Sequence, residues 1–526
     1  MAALDDIRAA FRGASEDLLD GAAAVRATPT LERPPKAEMG DYSTNAAMLL
    51  APSLRLAPRA VAESLTAGVA ERLGERLERV EVAGPGFLNV FLSDAWYAQA
   101  LQDVLDTGTG FGAGGAASPE RVDVEFVSAN PTGPVHVGHA RNAAYGDAIC
   151  RILAFHGHTV HREYYANDAG AQIGKFVEAI ESRARGEAPE EYPGEYVTEL
   201  AAELEGVPAD ALRDVAVERM SERIRASLER FRVAPFDTWF SERSLYDGAI
   251  EDTLARLRER GVTYERDGAL WLRSTDYGDD KDRVLVKSDG SFTYLAPDIA
   301  YHQDKRARGH ERLVDVWGAD HHGYVQRMKA AFAALGGDPD ALDLLIMQFA
   351  HLVRGGEKVA FSKRAGEFVT LDDLIDEIGV DAARWFLLAR SHDTTIDIDL
   401  DLARRESADN PVYYVQYAHA RIATMAGRAT AVPDPQPRAP LEAAERDLIK
   451  RLLAFPDEVR EAAERRAPHR IATYALELAR GFTGFYERCK VIGDEQEAFR
   501  IALCGATRTT IASSLDLLGV AAPDAM

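Results

Sequence analysis

Residues 121–168, RVDVEFVSANPTGPVHVGHARNAAYGDAICRILAFHGHTVHREYYAND, contain the pattern that decides the fold of this chain. A β-rich run, RVDVEFVSAN, leads through the loop NPTGPVHVGH into a helical segment that Gly157 would end. The apolar stripe of that helix consists of Ala140, Ala144, Ala148, Ile152 and Phe155. A second strand, TVHREYYAND, follows. Strand, helix and strand at this spacing predict a βαβ unit, and therefore a parallel sheet whose ligand binds at the carboxyl ends of its strands.

Two histidines, His136 and His139, flank Val137 and Gly138 at the turn between strand and helix. Glycine lets a phosphate group approach the backbone, and the free N–H groups and positive dipole of the helix start face the same point. Imidazole donors can also stabilise charge on an α-phosphate as pyrophosphate leaves. Zinc ligation is an alternative, although no cysteine or third histidine stands at ligand spacing, and histidines without a role are another. The position after a strand favours phosphate binding.

A basic loop, VAFSKRAG, follows the strand-like FAHLV and contains Ser362, Lys363 and Arg364. A loop that carries a lysine can close over a triphosphate and neutralise the group being transferred. A solvated basic turn is the simpler interpretation of this loop when it is considered alone.

Several carboxylates could recognise a cationic substrate. Arginine pairs with a carboxylate through two parallel hydrogen bonds, so a site for free arginine needs Asp or Glu. The candidates are Asp298, with Tyr294 beside it in TYLAPD, Glu242 in FSERS and Glu125 in EFVSAN. The sequence alone does not rank them.

The remaining sequence divides into three parts. Residues 1–113 mix amphipathic helices with VEVAGPGFLNVFL, a strand-like segment of period two, and so predict an α+β domain. Residues 118–398 predict the parallel-sheet domain, with a charged helical insertion at about 175–235. Within it, RVLVKSDGSFTYLAPD predicts a hairpin with a turn at Asp289-Gly290. Residues 399–526 predict an all-α helical bundle.

Composition excludes some classes of protein. The 526 residues are 46% hydrophobic and 28% charged, as in ordinary globular proteins. Cys150, Cys489 and Cys504 are too few and too scattered for a disulfide framework, and no run of about 20 apolar residues predicts a membrane span. The start has no secretion signal, so we expect a cytoplasmic protein. The net charge of -24 argues against a nucleic-acid partner unless basic residues cluster locally, and charge alone does not decide this.

Together these motifs resemble the class I arginyl-tRNA synthetases over nearly the whole chain. EFVSANPTGPVHVGHARNA resembles the family's HIGH motif in its HxGH form, and VAFSKRAG occupies the place of the KMSKS loop. GDDKDRVLVKSDGSFTYLAPDIAYH, GADHHGYVQRM and NPVYYVQYAHARI are similar to segments typical of this specificity. ERPPKAEMGDYSTNAAM and VAGPGFLNVFL resemble its additional N-terminal domain. The resemblance implies an α/β fold class: a Rossmann-like parallel-sheet catalytic domain, an α+β N-terminal domain that contacts tRNA, and an all-α anticodon-binding helical bundle.

The resemblance also implies roles for residues at matching positions. The residues expected to bind ATP or to act in catalysis are His136, Gly138, His139, Asp320, Ser362 and Lys363. Those expected to bind arginine are Ser128 and Asn130 at its amino and carboxylate groups, Tyr294, Asp298 and Glu242 at its guanidinium, and His321. Those expected to bind tRNA are Gln416, Tyr417, Tyr486 and Met526. Tyr486 could stack an unpaired base, as proteins that recognise RNA loops do.

One position departs from the family pattern. Ala360-Phe361-Ser362-Lys363 stands where the KMSKS loop has Lys-Met-Ser-Lys. Lys358 and Arg364 are the candidates to replace the missing lysine.

The implied function is the ATP-dependent activation of L-arginine and its transfer to the 3′ end of tRNA(Arg) in translation, with tRNA needed for the first step. ATP with Mg²⁺ is the expected cofactor, no zinc is expected, and a monomer is implied. A synthetase specific for cysteine would show clustered Cys and His ligands, and one for glutamate a cation in place of Asp298. A silent RNA-binding relative would have lost His136, His139 or Lys363, and a small nucleotidyltransferase would lack the helical C-terminal block.

Overall fold

The structure is a computed structural model that describes residues 3–19, 29–359 and 369–526. Its N-terminal part packs helices against an antiparallel sheet with strand order β1–β3–β2. The elements are α1 (Ala3–Leu19), β1 (Tyr42–Thr44), α2 (Ala46–Leu54), α3 (Pro58–Leu73), β2 (Leu77–Ala83), β3 (Phe87–Leu92) and α4 (Asp94–Thr107). The segment VEVAGPGFLNVFL is not one strand but a hairpin, in which Val82 of β2 lies opposite Leu88 of β3. Apolar residues recur with the same period-two phase on both sides of the turn, Val80 and Val82 before it and Leu88 and Val90 after it, which is why the sequence did not separate the two strands.

The middle of the chain forms the predicted parallel sheet. Its elements begin with β4 (Arg121–Glu125), α5 (Val137–His156), β5 (Thr159–Ala166), α6 (Ala171–Ala184), α7 (Glu195–Glu203), α8 (Ala209–Arg230) and β6 (Thr238–Ser241). They continue with α9 (Ala249–Glu259), β7 (Thr263–Arg266), β8 (Ala269–Leu272), β9 (Arg283–Val286), α10 (Leu295–Ala307), β10 (Arg312–Gly318), α11 (Val325–Ala334), β11 (Leu342–Met347), β12 (Ala350–Arg354), β13 (Glu357–Lys358), α12 (Leu371–Leu388), β14 (Ile396–Asp399) and α13 (Leu400–Ala403).

The strand order of the central sheet is β11–β10–β4–β5–β6, and every neighbouring pair is parallel. The βαβ unit predicted from the sequence is therefore confirmed as β4, α5 and β5, and Gly157 ends α5 in the left-handed conformation with φ of 114°. Gly146 allows α5 to lie directly against the strand end, because an added Cβ would be 2.2 Å from the ring of Phe126. The sheet thus fixes the start of α5 at the carboxyl end of β4.

The hairpin predicted for RVLVKSDGSFTYLAPD is only partly correct. β9 and the turn at Asp289-Gly290 are present, but the returning arm is a single bridge between Val286 and Phe292. Thr293 ends the arm by donating its hydroxyl hydrogen to the Val284 carbonyl oxygen at 2.8 Å. Helix α10 begins at Leu295, so Tyr294 and Asp298 lie one helical turn apart.

The C-terminal part is helical, as predicted. Its helices are α14 (Pro411–Ala426), α15 (Ala443–Leu452), α16 (Phe455–Glu464), α17 (His469–Arg488) and α18 (Glu497–Leu517). Among the residues that the structure describes, no helix has the length and apolar character needed to cross a membrane.

One buried arginine joins the parts of the chain. The guanidinium of Arg384 in α12 donates to the Asp147 carboxylate of α5 at 2.6 Å, and both side chains are fully buried. It also donates to the backbone oxygen of Phe231, after α8, at 3.0 Å and to that of Leu518, after α18, at 2.8 Å. The ion pair and its hydrogen bonds therefore tie α5 to the helical insertion and to the C-terminal helices.

We expect Arg384→Leu to lower the free energy of unfolding by about 3–5 kcal/mol, because it leaves the Asp147 carboxylate buried with less compensation. The matched control is Arg219→Leu, whose surface pair with Glu222 joins two half-exposed side chains and should contribute about 0–1 kcal/mol. Urea denaturation of both variants measures the difference. Equal midpoints for the two variants would contradict the structural role of Arg384.

Candidate active site

The backbone turns sharply where β4 ends. Val127 and Ser128 have positive φ angles of 69° and 43°, a conformation that side chains other than glycine rarely adopt and that a β-branched residue strongly disfavours. The buried Asn142 of α5 holds this turn, because its side-chain oxygen accepts a hydrogen bond from Val127 N at 2.6 Å while its amide donates to the Val316 oxygen of β10. The turn directs Ser128 towards the carboxyl ends of the strands.

The two histidines lie at the start of α5. The ring centroids of His136 and His139 are 4.0 Å apart, and His136 caps the helix by accepting a hydrogen bond from Gly138 N at 3.1 Å through Nδ1. Burial lowers the pKa of both imidazoles, and that of His139 falls to about 3 with a further contribution from His136. Both rings are therefore neutral near pH 7 and can each donate one hydrogen bond.

A cleft of about 580 Å³ opens between the strand ends and the start of α5. Residues from the ends of β4, β10 and β11 line it together with the first turn of α5. The predicted site residues that it brings together are Ser128, Asn130, His136, Gly138, His139, Asp320 and His321. Residues far apart in the chain thus meet at one edge of the parallel sheet, where ligands of such sheets bind.

The basic loop itself lies outside the described residues, so Ala360, Ser362, Lys363 and Arg364 have no structural account. Its carboxyl-side flank is described. Val137 N donates to the Val369 oxygen at 3.1 Å, and Leu371 N donates to the Val135 oxygen at 2.7 Å. These bonds place the end of the loop segment beside the histidine pair.

Beside the cleft, two carboxylates interact with each other, the partly buried Asp298 of α10 and the buried Glu242, and we call the place between them the acidic pocket. Asp298 accepts a hydrogen bond from the Tyr324 hydroxyl at 2.5 Å, and Glu242 accepts hydrogen bonds from the hydroxyls of Tyr165 and Tyr246. Burial raises the pKa of both carboxyl groups, and the charge of Asp298 raises that of Glu242 further. No Lys or Arg of the described residues forms a salt bridge with either carboxylate, which leaves the pocket acidic.

A buried ionic network lies beneath both pockets. The Lys305 ammonium of α10 donates to Glu125 Oε2 of β4 at 2.7 Å and to Asp315 Oδ1 of β10 at 2.8 Å. Glu125 in turn accepts a hydrogen bond from the Ser128 hydroxyl at 2.8 Å. Burial alone would lower the pKa of Lys305, but its acidic neighbours hold the pKa well above the ordinary value. Glu125 is therefore a support for Ser128 and not a free carboxylate.

Other predicted substrate residues differ in exposure. Tyr294, at the start of α10, is 90% exposed, whereas Asp298 one turn later is partly buried. Asn130 donates its side-chain amide to Gln172 at 2.7 Å. The ring centroid of His321, just after β10, is 5.6 Å from that of Trp317. A positive charge on His321 would attract the Asp298 carboxylate. The site thus extends from the cleft to the acidic pocket through His321.

The residues predicted to bind tRNA fall into two groups. Gln416 is buried, and its amide donates to Asp381 and to the Ala521 oxygen. Tyr417, Tyr486 and Met526 are exposed, and the Arg421 guanidinium lies 4.7 Å and 5.1 Å from the ring centres of Tyr417 and Tyr486. We call Tyr417, Arg421 and Tyr486 the aromatic patch.

The sequence analysis missed residues that support the site: Asn142, Tyr165, His302, Lys305, Asp315 and Tyr324. Acidic residues at alternate positions of a strand were the available signal. In VDVEF, Asp123 and Glu125 alternate with the buried Val122 and Val124, which predicts one polar and one apolar face. No local pattern shows that Lys305 supplies the counter-ion.

Family models match most of the chain. The arginyl tRNA synthetase N-terminal domain matches residues 5–92, the catalytic domain of class I (R) tRNA synthetases matches 101–203 and 209–408, and the DALR anticodon binding domain matches 415–526.

Relatives and solved structures point the same way. The chain is 47% identical to arginine–tRNA ligase 1 of Halalkalibacterium halodurans and 46% identical to arginine–tRNA ligase of Bacillus subtilis, each alignment covering 94% of both chains. The structure of Thermus thermophilus arginyl-tRNA synthetase aligns with a TM-score of 0.79 at 25% identity, over 99% of this chain and 100% of that one. The fold class expected from the sequence is thereby confirmed.

Gly138→Ala tests the geometry of the histidine pair. An added Cβ would lie 2.8 Å from His136 Cε1, so the ring must shift, and a displacement of about 1 Å can cost about 100-fold in rate. We expect a loss of that size in the rate of ATP–pyrophosphate exchange with arginine and tRNA present. Gly174→Ala in α6 is the control, because its Cβ would meet nothing within 4 Å. Equal rates for the two variants would show that the position of His136 does not matter.

Proposed function

The chain belongs to the arginyl-tRNA synthetase family, and from this premise we propose which residues carry out its reaction, the ATP-dependent ligation of arginine to tRNA. Arginine is activated when its carboxylate attacks the α-phosphate of ATP, which forms arginyl-adenylate and releases pyrophosphate. A ribose hydroxyl at the 3′ end of tRNA then attacks the acyl carbon and releases AMP. Neither step needs a covalent enzyme intermediate, so positioning and charge stabilisation carry the catalysis.

The guanidinium of arginine binds between Asp298 and Glu242. The observation that carries this proposal is the pair of interacting carboxylates, the buried Glu242 and the partly buried Asp298, without a Lys or Arg partner in the described part of the chain. Buried charges need compensation, and a guanidinium supplies one positive charge with five donors in a fixed geometry. The hydroxyls of Tyr165 and Tyr324 already orient the two carboxylates. Tyr294 is exposed at the N-terminal end of α10 and would pack against the substrate side chain.

The amino and carboxylate groups of arginine point towards the cleft. Ser128 is held by Glu125 and by the backbone of Tyr165, whose N–H donates to its hydroxyl oxygen at 3.2 Å. Ser128 and Asn130 both line the cleft, and His321 lines it while facing Asp298. A substrate whose guanidinium lies in the acidic pocket would therefore extend its carboxylate towards the histidine pair.

The triphosphate of ATP binds over the start of α5. His136 and His139 are neutral, so they can donate hydrogen bonds without a strong charge pairing that would hold the released pyrophosphate. Asp320, which lines the cleft at the tip of β10, would bind the ribose. Few carboxylates line the described part of the cleft. A Mg²⁺ ion there would therefore be bound mainly by phosphate oxygens and water. Such an ion neutralises charge on the phosphates.

Ser362 and Lys363 act from the basic loop. The described flank of the loop, Val369 and Thr370, pairs with the chain around His136, which supports a position above the phosphates. Lys363 would neutralise the leaving pyrophosphate, with Lys358 or Arg364 in the role of the missing first lysine.

The tRNA contacts the N-terminal and helical domains. We divide the chain at 1–113, 118–398 and 399–526, with the insertion at about 175–235.

The aromatic patch offers stacking faces beside a cation, and Met526 lies exposed in the same domain. Gln416 would act by holding α14 against the segment after α18. The enzyme is proposed to work as a monomer in the cytoplasm.

Asp298→Asn tests the arginine pocket. Loss of one partner of a buried charge pair costs about 2–5 kcal/mol, so the KM for arginine should rise about 30-fold or more. In the unaltered protein the KM should also rise as pH falls, because protonation of Asp298 and Glu242 begins above their ordinary pKa values of 3.8 and 4.5 and removes the charge that binds guanidinium. Arginine-dependent ATP–pyrophosphate exchange, measured with tRNA present, gives both quantities.

The control is Asp252→Asn on the exposed face of α9, which should leave the KM unchanged. An unchanged arginine KM in Asp298→Asn would remove Asp298 from the pocket. No arginine-dependent exchange in the unaltered protein would defeat the assignment of the reaction to this site.

Tyr486→Ala tests the aromatic patch. Stacking of one base on an aromatic ring contributes about 1–3 kcal/mol, so the KM for tRNA should rise about 5- to 100-fold while the KM for arginine stays constant. Val432→Ala, 82% exposed in the same domain, is the control. Aminoacylation kinetics measure both constants, and a tRNA KM equal to that of the control would remove Tyr486 from the interface.

A further inference from the structure

A cluster of metal-ligand side chains lies on the polar face of the central sheet, away from the cleft. It consists of Asp123 on β4, His161 on β5 and His310 just before β10. Asp123 and His161 are direct neighbours in the parallel register of β4 and β5. One potential ligand atom from each of the three residues lies within 4.8 Å of the other two. The sheet and the turn before β10 therefore hold the three groups together.

Asp123 has an unusual environment for a carboxylate. Its side chain is fully buried, yet neither oxygen accepts a hydrogen bond from any residue that the structure describes. The nearest positively charged or ionisable nitrogen atoms are His310 Nε2 at 3.5 Å and Lys305 Nζ at 3.6 Å. The Lys305 ammonium already donates shorter bonds to Glu125 and Asp315. A buried carboxylate without donors is costly, so this position calls for a further partner.

The surrounding charges show the same deficit. Four buried carboxylates share this face: Asp123, Glu125, Glu163 and Asp315. Glu163 is bound by both terminal nitrogens of Arg308, Glu125 by Lys305, and Asp315 by Lys305 and by His302 Nε2 at 2.8 Å. Of these four carboxylates, Asp123 alone accepts no hydrogen bond from a Lys, Arg or His side chain of the described residues. A bound cation beside Asp123 would compensate its charge.

We propose that Asp123, His161 and His310 bind a divalent transition-metal ion of the zinc type. Imidazole and carboxylate ligands without a thiolate suit such an ion, and a three-residue set leaves a position for water. His310 Nε2 and Asp123 Oδ2, 3.5 Å apart, are close to the spacing of two ligands on one four-coordinate ion, which is about 3.3 Å for bonds of about 2.0 Å. His161, partly exposed, must approach by a small ring movement and lies on the path by which the ion enters.

Neighbouring groups lie beside both nitrogens of the His161 ring. One nitrogen of His161, Nε2, is 2.9 Å from the Thr238 hydroxyl, and the other, Nδ1, is 4.0 Å from an Asp237 oxygen. Partners of this kind fix the orientation of metal-bound imidazoles in other sites. His310 Nδ1 is buried without a hydrogen-bond partner in the described residues, so water or a ring rotation would complete its shell.

The metal site would affect the arginine pocket indirectly, through a chain of buried contacts. The chain of contacts runs from Asp123 to Lys305 at 3.6 Å, from Lys305 to Glu125 at 2.7 Å, and from Glu125 to Ser128 at 2.8 Å. An ion bound to Asp123 would compensate its charge, so the Lys305 ammonium would interact only with Glu125 and Asp315. Glu125 would then keep its position and hold the Ser128 hydroxyl in place. The ion has no contact with substrate, so its role is structural. The three ligands lie far apart in the sequence, and the local spacing used to search for a zinc site could not group them.

The test uses the full-length protein after removal of metals with EDTA. Calorimetric titration with Zn²⁺ should give one high-affinity ion per chain, and Co²⁺ at the same site should show visible d–d absorption. The thermal unfolding temperature should rise with the Zn²⁺ concentration, because the ion binds only the folded site. Asp123→Asn, His161→Gln and His310→Gln should each weaken binding by more than about 100-fold, beyond the usual effect of losing an outer partner of a metal site.

His158→Gln is the matched control, because His158 belongs to a separate histidine pair in which its Nε2 lies 3.4 Å from His156 Nδ1. It should bind Zn²⁺ as the unaltered protein does. His161 is partly exposed, so His161→Gln should fold even if Asp123→Asn does not. Two results would overturn the proposal: no Zn²⁺ binding by the unaltered protein, which would show Asp123 to be a neutral acid, or equal binding by all variants, which would place the ion elsewhere.

Discussion

The site depends on the interaction of the Lys305 ammonium group with the buried carboxylates of Glu125 and Asp315. Lys305 stands on α10 and binds carboxylates from β4 and β10, so it joins a helix to two neighbouring strands in the interior of the sheet. Removal of the group would leave Glu125 and Asp315 buried and charged without compensation. The strained turn at Val127 and Ser128 begins directly after this point. A buried charge thus helps to fix the position of the Ser128 hydroxyl, the group that we propose faces the substrate.

Local patterns made the general architecture predictable from the sequence. The βαβ unit around His136 and Gly157 follows from hydrophobic periods within a short stretch, and the helical C-terminal part follows from the same signal. The segment before Asp298 was harder, because one β strand and a turn lead into a helix whose apolar side chains also suit a strand. The partners of Asp298 and Glu125, namely Tyr324 and Lys305, come from other elements. Only the folded sheet brings such residues together.

The charge distribution explains how an acidic chain can handle ligands of both signs. The cleft contains neutral imidazoles and a helix start, which suit the phosphates that we propose bind there, while the carboxylates of Asp298 and Glu242 in the adjacent pocket suit the proposed guanidinium. Many cations of the described residues are paired with acidic neighbours, for example Arg230 with Asp372 and Asp376, but Arg421 lies over two tyrosine rings. The net charge of -24 therefore says little about what any one surface binds.

The hydrogen bonds of Arg384 have a consequence for the way the chain is made. Its partners are Asp147, the backbone at Phe231 and the backbone at Leu518, which leave the ribosome at widely separated times. The Asp147 carboxylate can pair with Arg384 only after Arg384 has been synthesised. The guanidinium can donate its remaining hydrogen bond only after Leu518 has been synthesised. The α/β part therefore reaches its final form only after α18 has been synthesised, and two fragments divided between Asp147 and Arg384 would each carry one half of the buried ion pair.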